Sequence, residues 1–437
     1  MPVVRDLRVL LRLRNFRRLL SVRLLSQGAD GVYQIGLATY VVFSPEKQTS
    51  AGAIASAMAV LLLPYSLVGP FAGVLLDRWP RRQVFVYGNL LRAVLAAATA
   101  ALMVTRVPDW LFYASALCVT AVNRFVLAGL SASLPRVVDA ERLVLANSLS
   151  PTAGTLAATV GGGLAFAVRL MASDSDAAVV LLGAALYLCS ALVSLTMTRE
   201  LLGPDRGSLQ PRLGVALIST ARDLLAAVRH LAEPRRREAV WALSAMTLMR
   251  FCYGALLVLV LMLCRYSLAA TPDDGLRLLG LALGVSGAGF FAAAVVTPGV
   301  AGRIGSGRWI AVCAAAAAVL EAALGLPFAT VPTLVAAFAL GLTTQGAKIA
   351  TDTIVQSSVD DDFRGRIFSV YDVLFNVSFV GAAGVAALML PPDGRSTALV
   401  LMVAVVYAAV AVTMVRFERR KETHRWHQAP PDENSLA

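Results

Sequence analysis

Runs of roughly 20 mostly apolar residues, separated by short polar or arginine-bearing stretches, recur along the whole chain. At about 1.5 Å rise per residue, each run is long enough to cross a hydrocarbon core of about 30 Å as a helix. The strict alternation of a membrane β-strand is absent, and open sheet edges are not tolerated in lipid. The pattern therefore predicts an all-α polytopic membrane protein. Twelve spans are expected: Leu19 to Phe43, Ser50 to Leu76, Val84 to Val104, Trp110 to Leu134, Ala146 to Met171, Ala177 to Thr198, Ala239 to Cys264, Leu278 to Thr297, Trp309 to Ala329, Thr333 to Val355, Ile367 to Leu390 and Ala398 to Val415.

Composition agrees with lipid as the main solvent. Hydrophobic residues make up 58% of the chain, charged residues 15%, and the mean hydropathy is +0.71. The net charge of +12 comes almost wholly from arginines at the ends of the apolar runs, which argues against a nucleic-acid surface. Cys118, Cys189, Cys252, Cys264 and Cys313 stand singly in apolar stretches, a distribution that suggests neither disulfides nor a metal site. No cofactor is expected. Arg5 to Arg18 reads as a basic amphipathic helix at the membrane interface, without the small-residue cleavage site of a signal peptide.

The arginines also set the topology. Arg78, Arg81 and Arg82 follow the second run, Arg136 and Arg142 the fourth, Arg235 to Arg237 precede the seventh, Arg303 and Arg308 follow the eighth, and Arg364 and Arg366 the tenth. The alternate loops hold Glu46, Asp109, Asp174, Asp176, Asp273, Asp274 and Asp393. By the positive-inside rule both termini are expected in the cytoplasm. The one long loop, Arg199 to Glu238, contains an amphipathic stretch from Leu213 to Leu231. The expected organisation is therefore an amino-terminal segment 1–18, a six-helix bundle 19–198, a central loop 199–238, a second six-helix bundle 239–415 and a tail 416–437.

The halves look like copies. One shift carries Arg78 onto Arg303, Asn123 onto Lys348, Glu141 onto Arg366 and Asn147 onto Asp372, and a slightly shorter one carries Asp30 onto Arg250 and Tyr33 onto Tyr253. Two repeated six-helix bundles form a transporter architecture, with a substrate site expected at the midplane between them.

Polar residues inside the spans need a reason, since a charge at the bilayer centre costs at least about 2.5–3.5 kcal/mol. In the first span Arg23, Gln27, Asp30 and Gln34 share one helical face. That stripe is read as lining a cavity, with Asp30 as a proton or cation site, because a carboxylate held away from water takes up a proton more readily. A structural ion pair, with Arg250 as partner, is the competing reading. In the tenth span Gln345, Lys348, Asp352 and Gln356 share a face, and Lys348 is four residues from Asp352. This pair either neutralises itself or takes part in substrate binding or coupling. Asp372 and Asn376 share a face of the eleventh span. Arg92, in the third, is expected to reach for the interface with its guanidinium. Gly280 and Gly284 are expected at helix contacts, and Thr152, Thr155 and Thr159 could offer hydroxyls to a substrate or bond their own backbone. Glu321 has no evident purpose in its alanine-rich run. The three histidines, His230, His424 and His427, lie outside the spans, and no catalytic triad or phosphate loop occurs.

After the second span stands Gly73-Val74-Leu75-Leu76-Asp77-Arg78-Trp79-Pro80-Arg81-Arg82. It resembles the loop signature of the major facilitator superfamily, with Pro80 in place of the second glycine. Gln356 to Ser369, and Ala146-Asn147-Ser148, resemble the branch of macrolide-efflux and enterobactin-exporter proteins. Gly161-Gly162-Gly163 lacks the Gly-Pro that would complete that family's antiporter motif. Arg124, beside Asn123, lies near where proton-coupled exporters of the family keep an arginine. The resemblance implies a latch, with Asp77 meeting Arg364 or Arg366 and Arg303 meeting Asp139 or Glu141, unless these charges only fix topology. The chain is thus expected to be a secondary transporter in a bacterial inner membrane, a monomer surrounded by lipid. It would export an amphipathic organic molecule coupled to protons and bind no nucleic acid. Transport of a lipid or of a solute in the other direction, or a non-transporting scaffold, are the alternatives.

Overall fold

The computed structural model describes residues 9–43, 50, 52, 56, 79–105, 109–171, 175–198, 201–203 and 213–428. The second span beyond residue 56, with Gly73, lies outside the described residues, as do Asp77 and Arg78 after it. The long helices are α1 Arg14–Phe43, α2 Arg81–Val104, α3 Asp109–Ser133, α4 Ala140–Met171, α5 Asp176–Leu195, α6 Leu213–Leu231, α7 Arg237–Tyr266, α8 Pro272–Ile304, α9 Ser306–Gly325, α10 Thr330–Ser358, α11 Asp361–Met389 and α12 Thr397–Gln428. Among the described residues, ten stretches are long and apolar enough to cross a membrane. The helix α1 is not among them, because its polar stripe lowers its hydropathy.

Helix ends follow local chemistry. Ser175 caps α5 by accepting a hydrogen bond from Ala178 N, with Asp176 in the first turn. Thr271 does the same for α8 from Asp274 N, followed by Pro272 at the first helical position. Gly305, at φ 92°, ends α8 and begins the turn into α9. The helix α6 coincides with the amphipathic stretch expected in the central loop.

The chain divides into two compact units, one of Met1–Thr49 and Ser56–Leu224, the other of Leu225–Ala437 with the short stretch Ser50–Ala55. In the first, α1 packs on α4 and α5, and α2 packs on α5 and α3. In the second, α7 packs on α11 and α12, and α9 on α12 and α10, the same order displaced by six spans, with α8 packed against α10. A glycine in the first helix of each unit permits a close approach. A Cβ on Gly31 of α1 would strike the backbone of Ala158 in α4, and one on Gly254 of α7 would press on the backbone of Phe379 in α11.

The apolar core at one end of the first unit contains Leu10 and Phe16 together with Phe85, Leu130 and Leu134. Both Leu10 and Phe16 are fully buried. Leu10 and Phe16 therefore tie the described part of the amino-terminal stretch to the first unit, while Leu11, Arg12, Arg14 and Arg17 stay exposed. Gly284 is also not where its spacing placed it. A Cβ there would meet nothing, whereas Gly289 and Gly341 are the glycines at the α8–α10 contact.

Candidate functional site

The first unit carries a buried polar network centred on Arg92. Its Nη1 donates to Asp30 Oδ1 and to Asn123 Oδ1, both at 2.9 Å. Its Nη2 donates to Ser26 Oγ at 2.7 Å and to Asn89 Oδ1. Tyr187 OH donates to the same Asp30 oxygen at 2.7 Å, and its ring lies 4.4 Å from the guanidinium carbon. One side chain or more from each of α1, α2, α3 and α5 meets here. The side chains of Arg92 and Asp30 are 0% and 8% exposed, so the pair is sealed from solvent. Such a pair gains little over an apolar core, but removal of one partner strands the other's charge.

Two expectations are corrected by this geometry. Arg92 does not reach for the interface. The helix α2 starts at Arg81, about a turn before the expected Val84, so Arg92 lies about 16 Å along it, too deep to escape. Asp30 has an ion-pair partner, and it is Arg92 in its own bundle; the competing reading had named Arg250. Sequence reasoning thus missed Arg92, Asn89, Ser26 and Tyr187. The available signal was spacing: Asn89 and Arg92 stand three apart on one face, and Ser26 stands four before Asp30.

The rest of the first-span stripe divides. Arg23 is buried and donates through Nη2 to Ser131 Oγ at 3.0 Å, whereas Gln27 is half-buried with Oε1 unpartnered and Gln34 is exposed. Arg124 is half-buried on α3, next to Asn123. Thr155 and Thr159 bond the carbonyls of Pro151 and Thr155, each at 3.1 Å, the backbone alternative foreseen for them. The side chain of Thr152 lies outside the described residues.

In the second unit Lys348 Nζ and Asp352 Oδ2 are 2.7 Å apart, with side chains 36% and 27% exposed. Lys348 lies 5.9 Å from the Tyr371 ring centre. Arg250 has no carboxylate partner among the described residues. Its guanidinium lies 4.2 Å from the ring centres of both Phe375 and Phe379 and 5.0 Å from that of Tyr253. Gln345 is half-buried a turn before Lys348, and Asn376 Nδ2 donates to Asp372 O at 2.9 Å.

Of the latch residues, Arg81 is tied within its own bundle, donating through Nη1 to Ala132 O at 2.8 Å and Leu202 O at 3.1 Å. Arg366 lies 5.5 Å from the Phe363 ring centre, and Arg303, Asp139 and Asp372 are exposed. The side chains of Glu141 and Arg364 lie outside the described residues, as do Gly73, Asp77 and Arg78. In the last turn of α6, His230 stacks on Phe363 at 4.3 Å, with Nδ1 3.1 Å from Glu233 and Nε2 3.5 Å from Asp360. Asp360 is also 2.5 Å from Arg236, and Glu233 2.9 Å from Arg235. These arginines hold both carboxyls below their ordinary range. Among the described residues no cluster of His, Cys, Asp or Glu could hold a metal ion.

Repeated helical bundles that bury charge deep within membrane-length helices are the build of a polytopic membrane transport protein. The chain belongs to the Major Facilitator Superfamily, whose family pattern matches residues 25–383. It is 36% identical over 411 residues to MFS-type transporters of Mycobacterium bovis and Mycobacterium tuberculosis, over 93% of this chain and 92% of theirs. Its fold is similar to a crystal structure of a peptide transporter POT in complex with alafosfalin, with a TM-score of 0.72, 12% identity, and coverage of 92% of this chain and 94% of that one. The nucleoside transporter NupG gives a TM-score of 0.66 at 14% identity, over 91% of this chain and 98% of that chain.

Proposed function

We propose that this protein is a secondary active transporter of the cytoplasmic membrane that exports an amphipathic small molecule in exchange for protons. Both termini would face the cytoplasm. The observation that carries the coupling is the sealed Asp30–Arg92 pair, on which four helices converge. A proton arriving on Asp30 cancels its charge, removes the main attraction for Arg92, and frees α1 to shift against α2, α3 and α5. The half-open Lys348–Asp352 pair and the ring-lined Arg250 supply charged and aromatic contacts suited to an amphipathic molecule. Outward direction rests on the likeness of the segment from Gln356 to Ser369 to exporters. The latch of Asp77 with Arg364 or Arg366, and of Arg303 with Asp139 or Glu141, would hold one side closed in alternating access.

The test is transport in proteoliposomes under an imposed pH gradient, with lipophilic cations, neutral drugs and lysolipids, comparing the parent with Asp30→Asn and Lys348→Ala. Gradient-driven movement lost in both folded variants is the expected result. Transport unchanged in both would reduce these residues to structure. Movement of lysolipids alone would point to lipid transport, and no movement of any compound to a scaffold.

A further inference from the structure

The second unit contains a small cavity that the transport reading does not use. It has a volume of about 40 Å³ and lies among α7, α8, α9, α10 and α12, lined by aliphatic side chains such as Leu340 and Val400. Two polar groups that reach it are incompletely satisfied. Glu321 on α9 is 3% exposed and its Oε1 has no hydrogen-bond partner; Ser286 on α8 is 6% exposed and its Oγ has none either. Among the described residues no cation pairs with Glu321. The titratable side chains that face it are Tyr407 from α12 and Tyr253 from α7, while α8 and α10 present Ser286 and Thr333. Thr333 is already committed to Ala329 O at 2.8 Å. Arg250, near Tyr253 on α7, is directed to Phe375 and Phe379 on α11.

A carboxylate walled in by aliphatic side chains and lacking a counter-ion must either take a partner or lose its charge. The cavity limits the partner. About 40 Å³ holds one or a few water molecules, far below the roughly 300 Å³ of a pocket for an organic ligand. A metal cation would require several oxygen ligands, and this site offers one carboxylate and one free hydroxyl, since the carbonyls of the surrounding helices are engaged in their own ladders.

We propose that Glu321 and this cavity form a proton-binding site inside the second bundle, with a water bridging the carboxyl and Ser286 Oγ. Hydronium gives one proton to the Glu321 carboxylate. One O–H bond of hydronium breaks, one O–H bond forms on the carboxyl, and the water left behind is the bridging molecule. The site works without an ion pair and is distinct from Asp30, which is paired with Arg92. Its existence depends on neither the substrate nor the direction of transport. Loss of the proton recreates a bare carboxylate among Leu340, Val400 and their neighbours, so that deprotonation favours entry of more water between α9, α10 and α12.

The experiment is infrared difference spectroscopy of the full-length protein in lipid nanodiscs, following the C=O stretch of protonated carboxyl groups as pH is raised. The parent is expected to show a band at neutral pH that disappears in alkali, that shifts in heavy water and that is missing from Glu321→Gln. Ser286→Ala should displace the band without removing it. If Glu321→Gln fails to assemble, Glu321→Asp takes its place and should move the band. The proposal is overturned if the spectra of parent and Glu321 variants share the same bands at every pH. It is equally overturned if sodium or potassium at fixed pH removes the band, which would make this a cation site, or if Ser286→Ala leaves the band untouched.

Discussion

Removing one member of the Asp30–Arg92 pair should harm the protein more than removing both. In Asp30→Ala, Arg92 keeps Asn123, Ser26 and Asn89 as acceptors, but its charge, on a side chain with no exposed surface, loses its only counter-ion among the described residues. Breaking a buried pair in this way costs about 3–5 kcal/mol. Tyr187 OH loses its acceptor as well, which for a buried donor adds about 1–3 kcal/mol. In Asp30→Leu combined with Arg92→Met no charge remains to be buried. The pair of changes should therefore recover at least about 2 kcal/mol relative to the sum of the single losses, a factor of nearly thirty in an equilibrium constant. Adding Tyr187→Phe removes the stranded hydroxyl. The assay is an SDS titration in mixed micelles followed by tryptophan fluorescence, with size-exclusion chromatography confirming that each variant starts folded. Additive losses would refute the reasoning, since the two charges would then not be stabilising one another. A neutral Asp30→Ala would refute it equally.

Three further outcomes follow from the geometry. Gly31→Ala places a methyl against the backbone of Ala158, which cannot swing aside, and should cost about 1–3 kcal/mol or more, whereas Gly163→Ala meets open space and should be neutral or gain about 0.5–1 kcal/mol; thermal stability in detergent separates them. Arg81→Met removes charged donors from the carbonyls of Ala132 and Leu202 and should cost about 1.5–3 kcal/mol, read in the same SDS titration. Asp360 and Glu233 have their folded pKa values lowered, by hydrogen bonds from Arg236 and Arg235 first. Their stabilisation is therefore complete above the ordinary carboxylate range of about 4 and is lost as pH falls through the lowered values. Asp360→Asn should reduce that loss on the acid side, seen as a flatter thermal-stability profile below about pH 5.

The elements were legible because lipid imposes their length. Eleven of the twelve expected spans match described helices, and α6 falls where amphipathicity put it. Ends were less legible for a definite reason. Arg81 and Arg82 read as loop arginines, yet Arg81 bonds the carbonyls of Ala132 near the end of α3 and of Leu202 in the turn after α5, so the helix starts there and carries Arg92 a turn deeper than expected. Spacing on one helix showed that Asp30 must face away from lipid. It could not show which helix supplies the counter-ion, because that depends on how α1, α2 and α5 pack, and residues 62 positions apart in sequence carry no periodic trace of meeting. The same limit explains Gly284. A four-residue spacing marks a face, but only the packing of α8 on α10 shows that Gly289 is the glycine in contact.

Each bundle handles its buried charges differently, and the contrast bears on the proposed cycle. In the first unit both terminal nitrogens of Arg92 are engaged, only its buried Nε is left without a partner, and the pair is closed to solvent, so a ligand has little access to it. Such a group can respond to a proton, which needs no room, far better than it can recognise a substrate. In the second unit Lys348 and Asp352 remain partly exposed, Asp352 keeps Oδ1 without a partner, and Arg250 is held by rings in place of a carboxylate. Those groups retain bonding capacity that a bound molecule could use. On the proposed mechanism the first bundle therefore switches and the second recognises. Asp30→Asn should then abolish dependence on the pH gradient while leaving substrate affinity close to that of the parent. Arg250→Gln should weaken affinity for the substrate while leaving the pH dependence of the residual transport in place. Equal loss of both properties in both variants, in binding and proteoliposome assays run side by side, would mean that the division of labour is wrong.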